Sequence, residues 1–148
     1  MTIQEVQNAI VEEFADCMEW EDKYAHIIAL GKTLAPLPEQ YRTDDNKVRG
    51  CQSQVWLHAE LQDGKVVFFA DADAAIVKGL VALALRVYSH REPQEILNTE
   101  PEFMKKIGLD MHLSSTRTNG FAAMIKQIKA YALGFALLQQ RTAEASQE

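Results

Sequence analysis

The stretch Val48-Arg49-Gly50-Cys51-Gln52-Ser53-Gln54-Val55-Trp56 sets a cysteine directly after a glycine, where a charged, polar loop meets a segment patterned as a strand. A thiolate at such a junction is a nucleophile, and Lys47 and Arg49 lie close enough in sequence to favour the charged form. Two chemistries are open to it. Acyl transfer requires a base and usually an oriented imidazole, and none of His26, His58, His90 and His112 falls in a Cys–His pattern. Attack on another sulfur requires an accessible thiolate, a soft leaving group and a surface that docks the donor, which this sequence meets more readily. A half-buried strand-end cysteine with no chemistry fits the same local features.

Metal binding is a poor fit to these residue types. Zinc and iron–sulfur sites need three or four soft or imidazole ligands, and the chain offers Cys17, Cys51 and four scattered histidines with no CxxC or HxxxH pairing. Cys17 continues the apolar face Val6, Ile10, Phe14 and reads as core packing, the usual fate of a free cysteine.

The elements that must position Cys51 follow from periodicity. Thr2 and Glu5 have capping-box spacing and open a first helix. Tyr24, Ile27, Ile28 and Leu30 mark a second helix from about Glu21, ended by Gly31 and the prolines of "PLPE". "YRTDDNKVRG" reads as an exposed loop. Val55, Leu57, Ala59 and Leu61 then alternate with polar or larger residues, and Asp63-Gly64 supplies a tight turn before Val66-Val67-Phe68-Phe69. This predicts a β-hairpin with Cys51 at its mouth.

Asp71 or Asp73 is the expected cap of a nearly all-apolar helix ending near Tyr88, which should be buried. Within it Gly79 is costly and implies a close packing contact. Two short helices are expected after Pro93 and Pro101, the second followed by Gly108. "LDMHLSSTRTNG", with Arg117, Asn119 and Gly120, reads as a loop before the last helix, whose stripe runs from Phe121 through Met124, Ile125, Ile128, Tyr131 or Ala132 and Phe135 to Leu138. The tail "TAEASQE" is expected to fray. Strands in the middle with helices at both ends predict an α+β fold, a small antiparallel β-sheet covered by helices, in one domain over residues 1–148.

Composition narrows the partners. A net charge of −6 without a Lys/Arg block argues against nucleic acid and anionic membrane surfaces. The longest apolar run, Ile76 to Tyr88, is broken by Lys78 and Arg86 and is too short to span a bilayer. The acidic N-terminus lacks the features of a secretion signal, so a cytoplasmic location is expected.

The blocks "WEDKYAHIIALGKTL", "LPEQYR", "VRGCQSQVWL", "DADAAIVKGL" and "LSSTRTNG", in this order and spacing, resemble the SufE family of sulfur-acceptor proteins. The "GCQSQVW" form is more like SufE proper than its CsdE paralogue. The resemblance spans about Trp20 to Tyr131 and implies a compact α+β domain similar to the IscU scaffold. It implies that Cys51 accepts persulfide sulfur from a SufS-type cysteine desulfurase, stimulates that enzyme, and passes the sulfur to a SufBCD-type iron–sulfur scaffold. Pyridoxal phosphate would belong to the desulfurase, and this chain would hold no cofactor and no metal. Arg49, Gly50, Gln52, Ser53, Asp73 and Arg117 fall in blocks expected to support the acceptor loop or contact the partner. Trp56 is the apolar neighbour expected to shelter Cys51. A homodimer is compatible with these features, as is a SufS or CsdA-type donor. A thiol hydrolase and an adaptor with an inert Cys51 are the competing readings.

Overall fold

The computed structural model describes residues 1–146. Helix α1, Ile3–Ala15, opens on the Thr2–Glu5 capping box and buries Ile10 and Phe14. Gln7 is buried with them, and its side chain donates to the Glu100 carbonyl (3.0 Å) and accepts from the Phe103 amide (3.1 Å), tying α1 to a distant loop. Cys17 departs from the expected apolar face. The helix ends at Ala15, leaving Cys17 half-buried in the following turn and outside the apolar core.

Helix α2, Trp20–Gly31, crosses the buried helix α3, Ala75–Tyr88, at two glycines. A Cβ on Gly79 would stand 2.0 Å from the Ile27 carbonyl oxygen, and one on Gly31 would stand 2.8 Å from the Gly79 amide nitrogen. The two backbones are therefore in direct contact, which accounts for a glycine inside an apolar helix.

Strands β1, Val55–Gln62, and β2, Lys65–Ala72, form the antiparallel hairpin, in register from Val55 opposite Ala72 to Gln62 opposite Lys65. Asp63 and Gly64 both take positive φ (+53° and +80°), the conformation whose twist suits a two-residue hairpin. Val55, Leu57 and Ala59 with Phe68, Ala70 and Ala72 give the inner face to the core. The outer face is covered by the start of the loop expected to be exposed. Tyr41 stacks on His58 at 3.7 Å and donates to Glu60 (2.7 Å), while Arg42 lies 4.7 Å over the Trp56 ring and donates to Asp71 (2.8 Å).

Neither aspartate caps α3. Ala74 occupies that position, because Asp71 is engaged by Arg42 and Lys78, and Asp73 by the backbone of Gln54. The short helices α4 (Pro93–Leu97) and α5 (Phe103–Lys106) follow, and Gly108, at φ +77°, opens a further turn, α6 (Leu109–His112), inside the expected loop. Helix α7 runs Ser115–Ser146. It starts six residues before the apolar stripe because the Ser114 hydroxyl accepts from the Arg117 amide (3.3 Å) as an N-cap. Arg117, Asn119 and Gly120 are thus helical. The tail expected to fray is helical to Ser146, and its last two residues lie outside the described part.

The α+β architecture holds, with helices packed on a two-stranded sheet. The segment with the length and apolar character to cross a membrane is α7, not α3. Its N-terminal half is built into the core through Phe121, Met124, Ile125, Ile128 and Ala132.

Candidate functional site

Cys51 sits near the tip of an arm whose ends are both fastened. On one side the Val48 amide donates to the Val55 carbonyl (2.8 Å). On the other, the Gln54 amide donates to Asp73 Oδ1 (3.0 Å) and the Asp73 amide returns a bond to the Gln54 carbonyl (3.1 Å). Residues 49–53 between these fasteners have no backbone bond of this kind to the other described residues. Gly50 turns the arm at φ +95°, and a Cβ there would press to 3.1 Å on Ala123 of α7. Only glycine adopts this conformation without strain.

The turn lays Cys51 on the first turns of α7. Its Sγ donates to the Gly120 carbonyl at 3.4 Å, and a Cβ on Gly120 would stand 3.5 Å from that sulfur. Beneath lies a cavity of about 330 Å³ floored by Val55, Val77, Leu80, Val81, Phe121 and Met124. Gln52, Ser53, Ser114, Thr116 and Arg117 form its polar mouth. Burial pushes the Cys51 thiol up from the ordinary cysteine value. The thiolate-favouring effect expected of Lys47 and Arg49 does not reach it: Lys47 pairs with Asp44 (3.0 Å), and Arg49 lies in a separate depression with Lys126, across the arm. In this conformation the sulfur is a protonated, sheltered thiol.

Of the residues singled out in the sequence, Gln52, Ser53 and Arg117 join Cys51 at the cavity, Gly50 shapes the arm, and Asp73 fastens it. Arg49 is exposed and points elsewhere. Trp56 does not shelter the cysteine. It follows Val55 in β1 and so faces the opposite side of the hairpin, beneath Arg42, leaving Val55 to take the sheltering place. Gly120, Phe121 and Met124 complete the site and were visible in the sequence only as part of a helical stripe and its approach. No histidine or carboxylate lines the Cys51 cavity among the described residues, so the general base of an acyl-transfer site is missing from it. Nor do the described residues hold a group of three or more His, Cys, Asp or Glu suited to a metal ion.

The closed arm holds a half-buried thiol against α7 through one sulfur hydrogen bond, with Gln52 and Ser53 beside it at the cavity. Comparison with known proteins agrees with a sulfur-related role. The family described as "SufE: Fe-S metabolism associated domain" matches residues 8–132. An uncharacterized SufE-like protein of Rhizobium meliloti (strain 1021) is 46% identical over 130 residues, covering 84% of this chain and 93% of its own. The solution structure of a hypothetical protein from Thermus thermophilus superposes with a TM-score of 0.75 at 21% identity, covering 93% of this chain and 99% of that one, which supports the fold. The chain belongs to the SufE family, a domain associated with iron–sulfur metabolism.

Proposed function

We propose that the chain is a sulfur acceptor that takes persulfide sulfur onto Cys51 from a SufS-type cysteine desulfurase and stimulates that enzyme by clearing its active-site cysteine. The observation that carries this reading is the tethered arm, with the Cys51 thiol closed over an apolar cavity and fastened only at Val48 and Gln54 among the described residues. A relay needs a cysteine that can enter another protein's active site and afterwards be shielded, and an arm mounted on a rigid hairpin supplies both.

In the transfer step the arm lifts, Sγ leaves the Gly120 carbonyl, and in a polar setting the thiol loses its proton. The Cys51 thiolate attacks the outer sulfur of the donor persulfide. One S–S bond forms, the donor's S–S bond breaks, and its electron pair leaves on the desulfurase cysteine as a thiolate. Cys51 then carries the persulfide, and the closed arm returns it to the cavity, whose apolar floor keeps reductants away. Arg117 lines the cavity mouth, and in this reading its positive charge meets the persulfide anion as it enters or leaves. Delivery to a SufBCD-type scaffold in the cytoplasm completes the reading. Pyridoxal phosphate belongs to the donor, and this chain acts as carrier and activator.

The test is alanine release by a SufS-type desulfurase supplied with cysteine. Wild type should raise turnover several-fold, and Cys51→Ser should abolish the rise while retaining its affinity for the desulfurase in calorimetry. Equal stimulation by Cys51→Ser contradicts acceptance at this residue.

A further inference from the structure

The arm borders a second depression, of about 380 Å³, that shares no lining residue with the Cys51 cavity. Lys47 and Arg49 reach it from the two sides of Val48, and Lys126 reaches it from α7. Asp45 is the one carboxylate among the described lining residues. The ion pairs among the described residues use neither Arg49 nor Lys126. Lys47 meets Asp44 at 3.0 Å, but that carboxylate is 93% exposed, and such a surface pair is weak. Lys126 also borders a groove on the far side of α7, where Glu100 and Glu102 are engaged by Lys129 and Lys106.

Three cations thus share a small depression with one acid, inside the screening length of about 10 Å that 0.1 M salt provides. Their repulsion bears on the arm. Arg49 belongs to the span 49–53, which lacks backbone bonds of the fastening kind among the described residues, whereas Lys126 is fixed in α7 one turn beyond Ala123, against which Gly50 closes. Closing the arm draws Arg49 toward Lys126, and lifting it parts them. An anion seated between the two reverses that balance, because it is held by both cations only when the arm is closed. A guanidinium fork suits two oxygens of a phosphate group, and an ammonium meets a third as a point charge.

We infer that this depression binds a small phosphate-class dianion, which clasps the arm to α7 and holds Cys51 in its closed seat. Binding to the closed form alone stabilises it by mass action, so exposure of Cys51 falls as the anion concentration rises. The clasp concerns the arm alone and holds whichever protein supplies the sulfur.

Alkylation by iodoacetamide tests this on the full chain with no desulfurase present, located at Cys51 by peptide mass and run at fixed pH and ionic strength. Inorganic phosphate should slow the reaction about tenfold at ten times its dissociation constant, the constant being read separately by phosphorus NMR. Chloride at the same ionic strength should leave the rate unchanged. Lys126→Glu sets a carboxylate against Arg49, so it should slow alkylation without phosphate by up to about fivefold, the range of an exposed ion pair, and remove the phosphate effect. Arg49→Gln should remove the phosphate effect as well. Both positions are exposed, so the circular dichroism melts should match wild type. No slowing by phosphate overturns the inference, as does equal slowing by chloride or a phosphate effect that survives either substitution.

Discussion

The Cys51 thiol donates to the Gly120 carbonyl across 3.4 Å, joining the tip of a tethered arm to the first turns of α7. That contact makes the start of the long helix part of the sulfur site, and it links the protonation of Cys51 to the position of the arm.

The pH dependence follows from that link. Burial raises the Cys51 thiol's pKa in the closed arm, so the closed form is favoured fully below the ordinary thiol value of about 8.5 and loses its advantage as pH rises above it. The rate of Cys51 alkylation by iodoacetamide should have its midpoint above that of an unstructured thiol. A midpoint at or below the ordinary value would mean the arm does not shelter the sulfur.

Asp73 governs how often the arm opens. Asp73→Ala removes the acceptor for the Gln54 amide, a loss of about 1 kcal/mol by the usual worth of one hydrogen bond. Cys51 alkylation should accelerate about fivefold near neutral pH if that energy falls on the closed arm, with little change in melting temperature. Unchanged alkylation would place the hinge elsewhere.

Gly50→Ala forces a side chain into a left-handed backbone and against Ala123. The strain is about 1–2 kcal/mol and can be relieved by lifting the arm. Hydrogen exchange should rise in residues 49–53 while the hairpin stays protected. Protection equal to wild type in the arm would show that the turn tolerates a Cβ.

Gly79→Ala acts on the fold itself, because the added methyl would collide with the Ile27 carbonyl in a contact that neither helix can vacate. A destabilisation of about 3 kcal/mol or more is expected from overpacking at a backbone contact. Chemical denaturation should register it, whereas alkylation of Cys51 in the remaining folded fraction should not change.

Acid should loosen the outer face of the hairpin. Burial works against the Asp71 carboxylate, but hydrogen bonds from Arg42, the Ala72 amide and Lys78 outweigh it and lower its pKa. Its contribution is therefore present above the unfolded carboxylate value of about 3.9 and is lost as pH falls through the lower folded value. Asp71→Asn should reduce stability near neutral pH by about 1.5–3 kcal/mol, the worth of hydrogen bonds to a charged group, and reduce it less below pH ~3. A constant difference across that range would mean that Asp71's charge contributes nothing.

The hairpin and the buried helix were legible in the sequence because each carries a local signal: Asp63-Gly64 between alternating runs, and an apolar segment with one unexplained glycine. The start of α7 was not, because Ser114, Ser115, Thr116 and Asn119 are residue types shared by loops and helix caps, and the spacing alone does not show that Ser114 caps a helix here. The α3 cap differs from the sequence pattern for a related reason. Asp71 and Asp73 suit a cap locally, but partners remote in sequence, Arg42 and Gln54, engage both. Trp56 was an apparent shelter only by proximity along the chain. Strand alternation turns it away and brings in Val55, while Leu80, Phe121 and Met124 line the same cavity from helices that no local pattern connects to Cys51.

The most direct measurement is intact-protein mass spectrometry after incubation with a SufS-type desulfurase, pyridoxal phosphate and cysteine. The account predicts a gain of one or more sulfur masses, reversed by reductant, in wild type and in Cys17→Ala, and no gain in Cys51→Ser. No gain in wild type beside an active desulfurase, or a gain that survives loss of Cys51, would contradict it.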